Sequence, residues 1–272
     1  MEINAVSLTR TAAASFVALS SFAGAAFAAD KAAFRVGEAI FYSIRYGIVD
    51  AGVSTLQVTS TETVSGRTVY HILSKARTNK NMDVIFKVRD QNESWSDVES
   101  LCSVRFTQHL KEGHYRKETE TLFDQEQHKF HYRVKKRNKP ESIVEGEARD
   151  CVQDALSSLY YLRNKDLKVG GEYFLDINSG GKNWSMKVAV EALETVQVPA
   201  GRFECFRLAP TMQGEGIFRQ NGNLTVWMTN DKRRIPVQLR SKVTLGSFAA
   251  QMTQYTVGHE TGPEIDIGSD DQ

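Results

Sequence analysis

Apolar and polar residues alternate with a period of two along most of this chain, the pattern of half-buried β-strands. Ile40, Tyr42, Ile44 and Tyr46 share one face, while Phe41, Ser43 and Arg45 take the other. A bend over Gly47 to Gly52 precedes a second alternating run at Leu56 and Val58, and Ser65-Gly66 predicts a hairpin into 68–78. A meander then runs through 84–88, 93–98, 103–110, 115–123 and 129–135, turning at Lys111-Glu-Gly113 and Asp124 to Gln127. In its 115–123 run, Arg116, Glu118 and Glu120 alternate with Tyr115, Lys117, Thr119 and Thr121. Neither face is apolar, which predicts a wet strand at or near a sheet edge. Strands return at 173–177, 184–190, 203–208, 224–228, 237–245 and 248–257.

One stretch breaks the period. In Asp154-Ala-Leu-Ser-Ser-Leu-Tyr160-Tyr-Leu-Arg163, residues Leu156, Leu159, Tyr160 and Arg163 fall at i, i+3, i+4 and i+7 behind Asp154 as N-cap. A start at Asp150, with Gln153 completing a loose capping box, would add Val152 to that face. Lys165 and Lys168, followed by Gly170-Gly171, end it. A helix of about ten residues does not hold in water alone, so its apolar face must dock on the sheet. The expected fold is mainly β: antiparallel curved sheets, as a sandwich or an open barrel, with one packed α-helix around 154–163.

The first residues carry a different pattern: Arg10, a soft apolar run from Thr11 to Phe22, and Ala26-Phe27-Ala28. This predicts a secretory signal peptide over 1–28, cleaved between Ala28 and Ala29. No later apolar run has the length of a membrane span. The mature chain is therefore expected in the periplasm with no transmembrane segment, as a single β-rich domain over 29–260 and a disordered tail over 261–272. The net charge of +1 gives no global case for nucleic acid.

Three cysteines in an oxidising compartment leave two solutions, one disulfide with a spare thiol or three buried thiols. Cys102 and Cys151 lie beside strand or helix ends, where loops can meet, and form the favoured pair. Cys205 has the look of a mid-strand core position.

The search for chemistry weighs each motif against its plain structural role. Ser179-Gly-Gly-Lys182 has the Ser-x-x-Lys spacing of penicillin-recognising enzymes, but it lies in a glycine turn between strands and reads as a hairpin. The same glycines lack the following helix of a phosphate loop. His128 and His131, three apart on a strand, point to opposite faces, and no metal site or cofactor is expected. Glu38 and Asp231 stand out among the acids, yet neither has a nucleophile beside it, and a turn aspartate ordinarily bonds its own backbone. Lys129, Arg133, Lys135, Lys136, Arg137 and Lys139 form the one dense basic cluster, interleaved with Phe130, Tyr132 and Val134. Its structural role is edge protection and solubility; its functional role would be an anionic lipid or glycolipid surface. Tyr160, Tyr161 and Arg163, at the end of the helix, are candidates to line a ligand cavity between helix and sheet.

Four stretches resemble an exported bacterial family known only as domain of unknown function 3108: Phe34-x-x-Gly37-Glu38-x-x-x-Tyr42-x-Ile44-x-Tyr46-Gly47-Ile-Val-x-Ala51-Gly52, Asp154 to Arg163, Pro199-Ala-Gly201-x-Phe203, and Asn230-Asp231-x-Arg233-Arg-Ile-Pro236. The resemblance implies a cell-envelope location and a β-rich fold with one inserted helix. More loosely, the chain is similar to the half-open β-barrels of periplasmic lipoprotein carriers, a likeness of fold and not of function. Two function classes follow. The first is a non-enzymatic protein that binds or carries an apolar or amphipathic envelope molecule. The second is a structural or assembly factor acting through contacts with an envelope protein.

Overall fold

The structure, a computed structural model, describes residues 32–213, 224–243 and 246–258. The strands of the first half are β1 (Ala39–Tyr46), β2 (Val49–Val64), β3 (Arg67–Thr78), β4 (Arg89–Asp97), β5 (Ser103–Glu112), β6 (Tyr115–Asp124), β7 (Lys129–Lys136) and β8 (Ser142–Glu147). Those of the second half are β9 (Glu172–Ser179), β10 (Lys182–Val198), β11 (Gly201–Gln213), β12 (Leu224–Thr229), β13 (Pro236–Val243) and β14 (Gly246–Thr256). Helix α1 (Lys80–Asp83) sits between β3 and β4, and α2 (Ser157–Arg163) between the two halves.

All fourteen strands form one antiparallel sheet in the order β8-β7-β6-β5-β4-β3-β2-β1-β14-β13-β12-β11-β10-β9. Each half is a meander of neighbours in sequence, and the β1–β14 pair welds them, with Ala39 opposite Thr256 and Tyr46 opposite Phe248. The fold is thus mainly β, one curved open sheet with a packed helix. Tight turns set the register locally: Ser65 and Gly66 both have positive φ, as a two-residue primed hairpin requires. At Gly52 a Cβ would come within 2.1 Å of the Arg77 carbonyl oxygen, so only glycine lets β2 and β3 approach there.

The outermost strands, β8 and β9, do not pair, but they come together at one corner. Asn183 donates from Nδ2 to the Glu147 carbonyl at 2.6 Å, and Gly181 lies against the Tyr132 ring. The connector before α2 covers part of the exposed edge of β9. Gln153 donates its N–H to Asp176 and accepts from the N–H of Asn178, a short parallel bridge. A disulfide joins Cys102 to Cys151 and fixes this connector to the β4–β5 turn. Cys205 is a free, buried thiol.

Three expectations change. The run 84–88 is not a strand: Val84 and Ile85 form a turn after α1, and only Val88 makes a bridge, to Glu112. Strand β6 lies third from the edge, with Thr119, Thr121 and Phe123 buried; the edge is β8, whose six residues are nearly all exposed. Threonines fill the inner face of β6, and their methyl groups make that face less polar than its alternation suggested. The Gly47–Gly52 bend is a turn of only Gly47 and Ile48, and Gly52 lies inside β2.

Candidate functional site

Helix α2 stands on the concave face of the sheet and is packed on more than one side. Tyr160 joins the core of β1, β2, β3 and β14, while Leu162 joins that of β9 to β12. Leu159 touches both. The helix begins later than its sequence suggests because the Asp154 side chain closes the preceding turn. One carboxylate oxygen accepts from the N–H groups of Leu156 and Ser157, and the other from the hydroxyls of Ser94 and Ser103, both at 2.6 Å. Asp154 is fully buried, and burial raises its pKa against those hydrogen bonds.

Arg163 ties the other end of the helix. Its guanidinium donates to both Glu38 oxygens, at 2.5 and 2.8 Å, to the Ala33 carbonyl and, from Nε, to the Arg233 carbonyl. Phe34 packs edge-on against Tyr160 and Tyr70, and Tyr42 donates to the Pro236 carbonyl. Three of the stretches that carry the family resemblance therefore meet around one buried ion pair. Burial disfavours the charged guanidinium, but Glu38 outweighs it and the Arg163 pKa is raised.

These contacts place the sequence-predicted ligand residues. Tyr160 and Arg163 are each 1% exposed and belong to the core. Tyr161 is half-buried beneath the Lys165 ammonium, 3.9 Å from its ring centre. None of the three lines either cavity described below.

The helix is short, about 10 Å at 1.5 Å per residue, and covers only part of the trough. Beyond it, at the end of the sheet where β1 turns into β2, lies a cavity of about 480 Å³. Its walls are Ile44, Ala51, Gly52 and Ala76 on one side and Leu239, Ser241 and Ala250 on the other. Ala51, Gly52, Ala76, Ser241 and Ala250, small residues within the run of neighbouring strands β3-β2-β1-β14-β13, leave the space unfilled. Met82 and Phe86, at and just past α1, together with Leu224 and Phe248, complete the lining, and Arg77 and Glu112 are its charged members. Phe86, Phe248 and Leu224 are all exposed, so the cavity opens to solvent at this rim. The residues that build it were not among the sequence-stated candidates; the signal available was the run Val84-Ile85-Phe86 beside the small residues of β2 and β3.

A larger cavity of about 680 Å³ lies at the opposite end, against β6, β7 and β8. Its lining is rich in charge: Arg67 pairs with Glu126 at 2.6 Å and His131 with Glu145 at 2.9 Å, and Asp124, Lys129 and Glu147 line it as well. It suits an apolar ligand poorly.

The basic cluster is split by the fold. Lys129 starts β7 and Lys136 ends it, roughly 23 Å apart at 3.3 Å per residue. Arg133, between them, is bound to Glu120 and Glu141. Lys135, Lys136, Arg137 and Lys139 are exposed at the same end of the sheet as the apolar cavity.

The remaining chemical candidates have structural occupations. Asp231 accepts from the Thr229 hydroxyl and from the N–H groups of Arg233 and Arg234, as a turn aspartate does. Ser179 and Lys182 flank the Gly180-Gly181 hairpin. His71 bonds Thr59 and Glu93 and stacks on Trp95. Burial pushes the Cys205 thiol up to about 12, with Asp231 and Glu194 adding to it. Among the described residues no three His, Cys, Asp or Glu side chains gather as a metal site. Ala28, Ala29 and the 261–272 tail lie outside the described residues.

A curved, open antiparallel sheet with helix α2 packed on it defines a barrel-like class of β protein. Within it, the chain belongs to the family described as protein of unknown function DUF3108, whose model matches residues 42–253. Among solved structures it is similar to a β-barrel-like protein of domain of unknown function DUF1849 from Brucella abortus, at 11% identity and a TM-score of 0.57, over 83% of this chain and 99% of that one. It is also similar to a Bacteroides fragilis protein described as exported, with a YmcC-like fold, at 9% identity and a TM-score of 0.36, over 82% and 97% of the two chains. No curated protein matches the sequence. The first likeness is one of fold. Among the described residues, no helix is long and apolar enough to cross a membrane, which says nothing of strands.

Proposed function

We propose that this is an exported, non-enzymatic protein of the periplasm that binds or carries an apolar or amphipathic molecule of the cell envelope. The observation that carries the reading is the apolar cavity of about 480 Å³ at the open end of the trough. Its volume falls within the roughly 300–1,000 Å³ of small-molecule sites, and its walls are mostly apolar with few polar groups, as such sites are. The leader-like N-terminus and the Cys102–Cys151 disulfide support an oxidising, extracytoplasmic compartment. The non-enzymatic reading is supported by the occupations of two buried acids: Glu38 holds Arg163, and Asp154 closes the turn that leads into the helix.

The test is binding of the apolar fluorophore 1-N-phenylnaphthylamine to the purified mature protein. Ala250→Phe fills the cavity from one wall and Ala76→Phe from the other. The expected result is saturable binding by the wild type, weakened at least about tenfold in either variant, with the urea midpoint held. Undiminished binding in both folded variants, or none by the wild type, sinks the reading. Native mass spectrometry of protein taken from the periplasm without detergent would then identify what the cavity carries.

A further inference from the structure

The rim around the cavity mouth exposes what a folded protein ordinarily buries. Val84 is 88% exposed, Ile85 77% and Phe86 49%, three apolar residues in succession. They are not on a slack loop. Asn79 caps the α1 turn by accepting from the N–H of Met82, and the N–H groups of Ile85 and Phe86 both donate to the Met82 carbonyl. Asp83 is clamped by Arg89 at 2.6 Å, and the Val88 N–H donates to the Thr78 hydroxyl. Asn79 also bonds the backbone of Asp50 and Ala51, which fixes this turn beside Ile48, itself 89% exposed. A rigidly held apolar tip has little ordering entropy left to lose on contact.

The tip is continuous with positive charge. Phe86 packs on Gly113, whose N–H donates to the Lys87 carbonyl; Arg116 donates to the Gly113 carbonyl, and Arg137 donates its N–H to the Arg116 carbonyl. This path runs along the rim from the apolar turn to the exposed Lys136 and Arg137, with Lys80 and Lys87 flanking the tip itself. Of the nearby carboxylates, Asp83 is engaged by Arg89 and Glu141 by Arg133; Glu112 lines the cavity, and Asp50 and Glu118 are exposed.

We propose that this rim docks on an anionic lipid bilayer, with Val84, Ile85 and Phe86 entering the interfacial layer and Lys80, Lys87, Lys136 and Arg137 meeting headgroup phosphates. An apolar wedge ringed by cations is the arrangement that holds a protein on such a surface, through buried area and charge together. Protein–protein interfaces are depleted in lysine, whereas three of the four flanking cations here are lysines. The docking would bring the cavity mouth to the bilayer. Phe86 belongs to both the wedge and the cavity lining, but Val84 and Ile85 do not line the cavity, so Ile85 tests the docking apart from the cavity reading.

The test is co-sedimentation of the mature protein with vesicles of phosphatidylethanolamine and phosphatidylglycerol, against vesicles of phosphatidylcholine alone. The wild type should bind the anionic vesicles and lose affinity as salt rises. Ile85→Asp should weaken binding at least about tenfold, since burying such a side chain is worth that much. A cation near a charged surface contributes about fivefold, so Lys136→Gln with Arg137→Gln should cost about twenty-fivefold. Phe174→Asp, at an exposed apolar position on β9, should bind as the wild type. Ala250→Phe should keep vesicle binding whatever it does to the fluorophore, so the two readings fail separately. All these positions are exposed or lie on the cavity wall, and unchanged urea midpoints would show the variants folded. Absence of wild-type binding, equal binding by Ile85→Asp, or equal loss in Phe174→Asp would overturn the proposal, the first of these returning the rim to a protein partner.

Discussion

The two ends of the curved sheet are built to opposite specifications. At the helix end, a disulfide, a buried ion pair and a buried aspartate with four hydrogen bonds lock the connector, the helix and the β12–β13 turn into one core. At the other end small residues on neighbouring strands leave a space unfilled, and Ile48, Val84 and Ile85 stand in solvent. The contrast teaches where stability and function lie. Paired buried charges give a rigid, specified core even though Tyr160 Oη and Gln153 Oε1 beside them have no hydrogen-bond partner among the described residues, whereas an open apolar mouth costs stability and is kept for what it contacts. Substitutions should therefore separate cleanly by end.

The largest effect is expected at Glu38. Glu38→Ala leaves the Arg163 guanidinium buried without its carboxylate, and losses of that kind run about 3–5 kcal/mol. Pairing Glu38→Leu with Arg163→Met should recover much of it, because an apolar pair leaves no buried charge. Urea midpoints of the three proteins decide the matter. A Glu38→Ala midpoint within error of wild type would mean that the helix end is not anchored as described, and the comparison would collapse.

Next comes the disulfide. Cys102 and Cys151 are 49 residues apart, and closing such a loop removes enough unfolded-state freedom to stabilise by about 2–4 kcal/mol. Cys102→Ala with Cys151→Ala should lower the midpoint accordingly while fluorophore binding at the open end persists in the folded population. Loss of binding in protein that remains folded would show that the ends are coupled, and the division drawn between them would have to go.

How much of this contrast can be read from the residues alone follows from sequence distance. Most strands declare themselves because alternation is local, and so does helix α2, whose i, i+3, i+4 spacing lies within ten residues; the exposed edge strand β8 and the segment 84–87, read as a strand, do not. The cavity does not. Its walls are Ile44 and Ala76 on one side and Leu239 and Ala250 on the other, brought together by the β1–β14 pairing across some two hundred positions. Nothing in either segment states that its small side chains line one space. Arg163 looks like a helix-end arginine from its neighbours, and only the fold supplies Glu38, 125 residues away, as its partner. Helix α1, four residues long, is shorter than any periodicity can register. The basic cluster was contiguous in sequence but runs the length of a strand, so its members part to opposite ends.

The smallest effect sharpens the comparison through pH. Asp90 lies towards the open end on β4, accepting from the Lys111 N–H at 3.0 Å. Burial, with help from neighbouring Glu112, raises its pKa to about 6 despite that hydrogen bond. A raised pKa means that the folded state holds the proton more tightly than the unfolded chain. The stability this contributes is fully present below the unfolded value near 3.8 and is lost as pH rises through about 6. At neutral pH the wild type therefore carries an unfavourable charge beside Glu112. Asp90→Asn keeps an acceptor for Lys111 and removes that charge. The variant should be the more stable protein at pH 7, by no more than about 1 kcal/mol because the group is only half-buried and solvent screens it. Its advantage should shrink steadily between pH 6 and pH 4. Urea midpoints of both proteins at unit steps across that range give the curve. A difference that stays constant with pH would mean that Asp90 does not titrate in this window, and the open end would then lack the half-buried carboxylate whose charge weakens it at neutral pH.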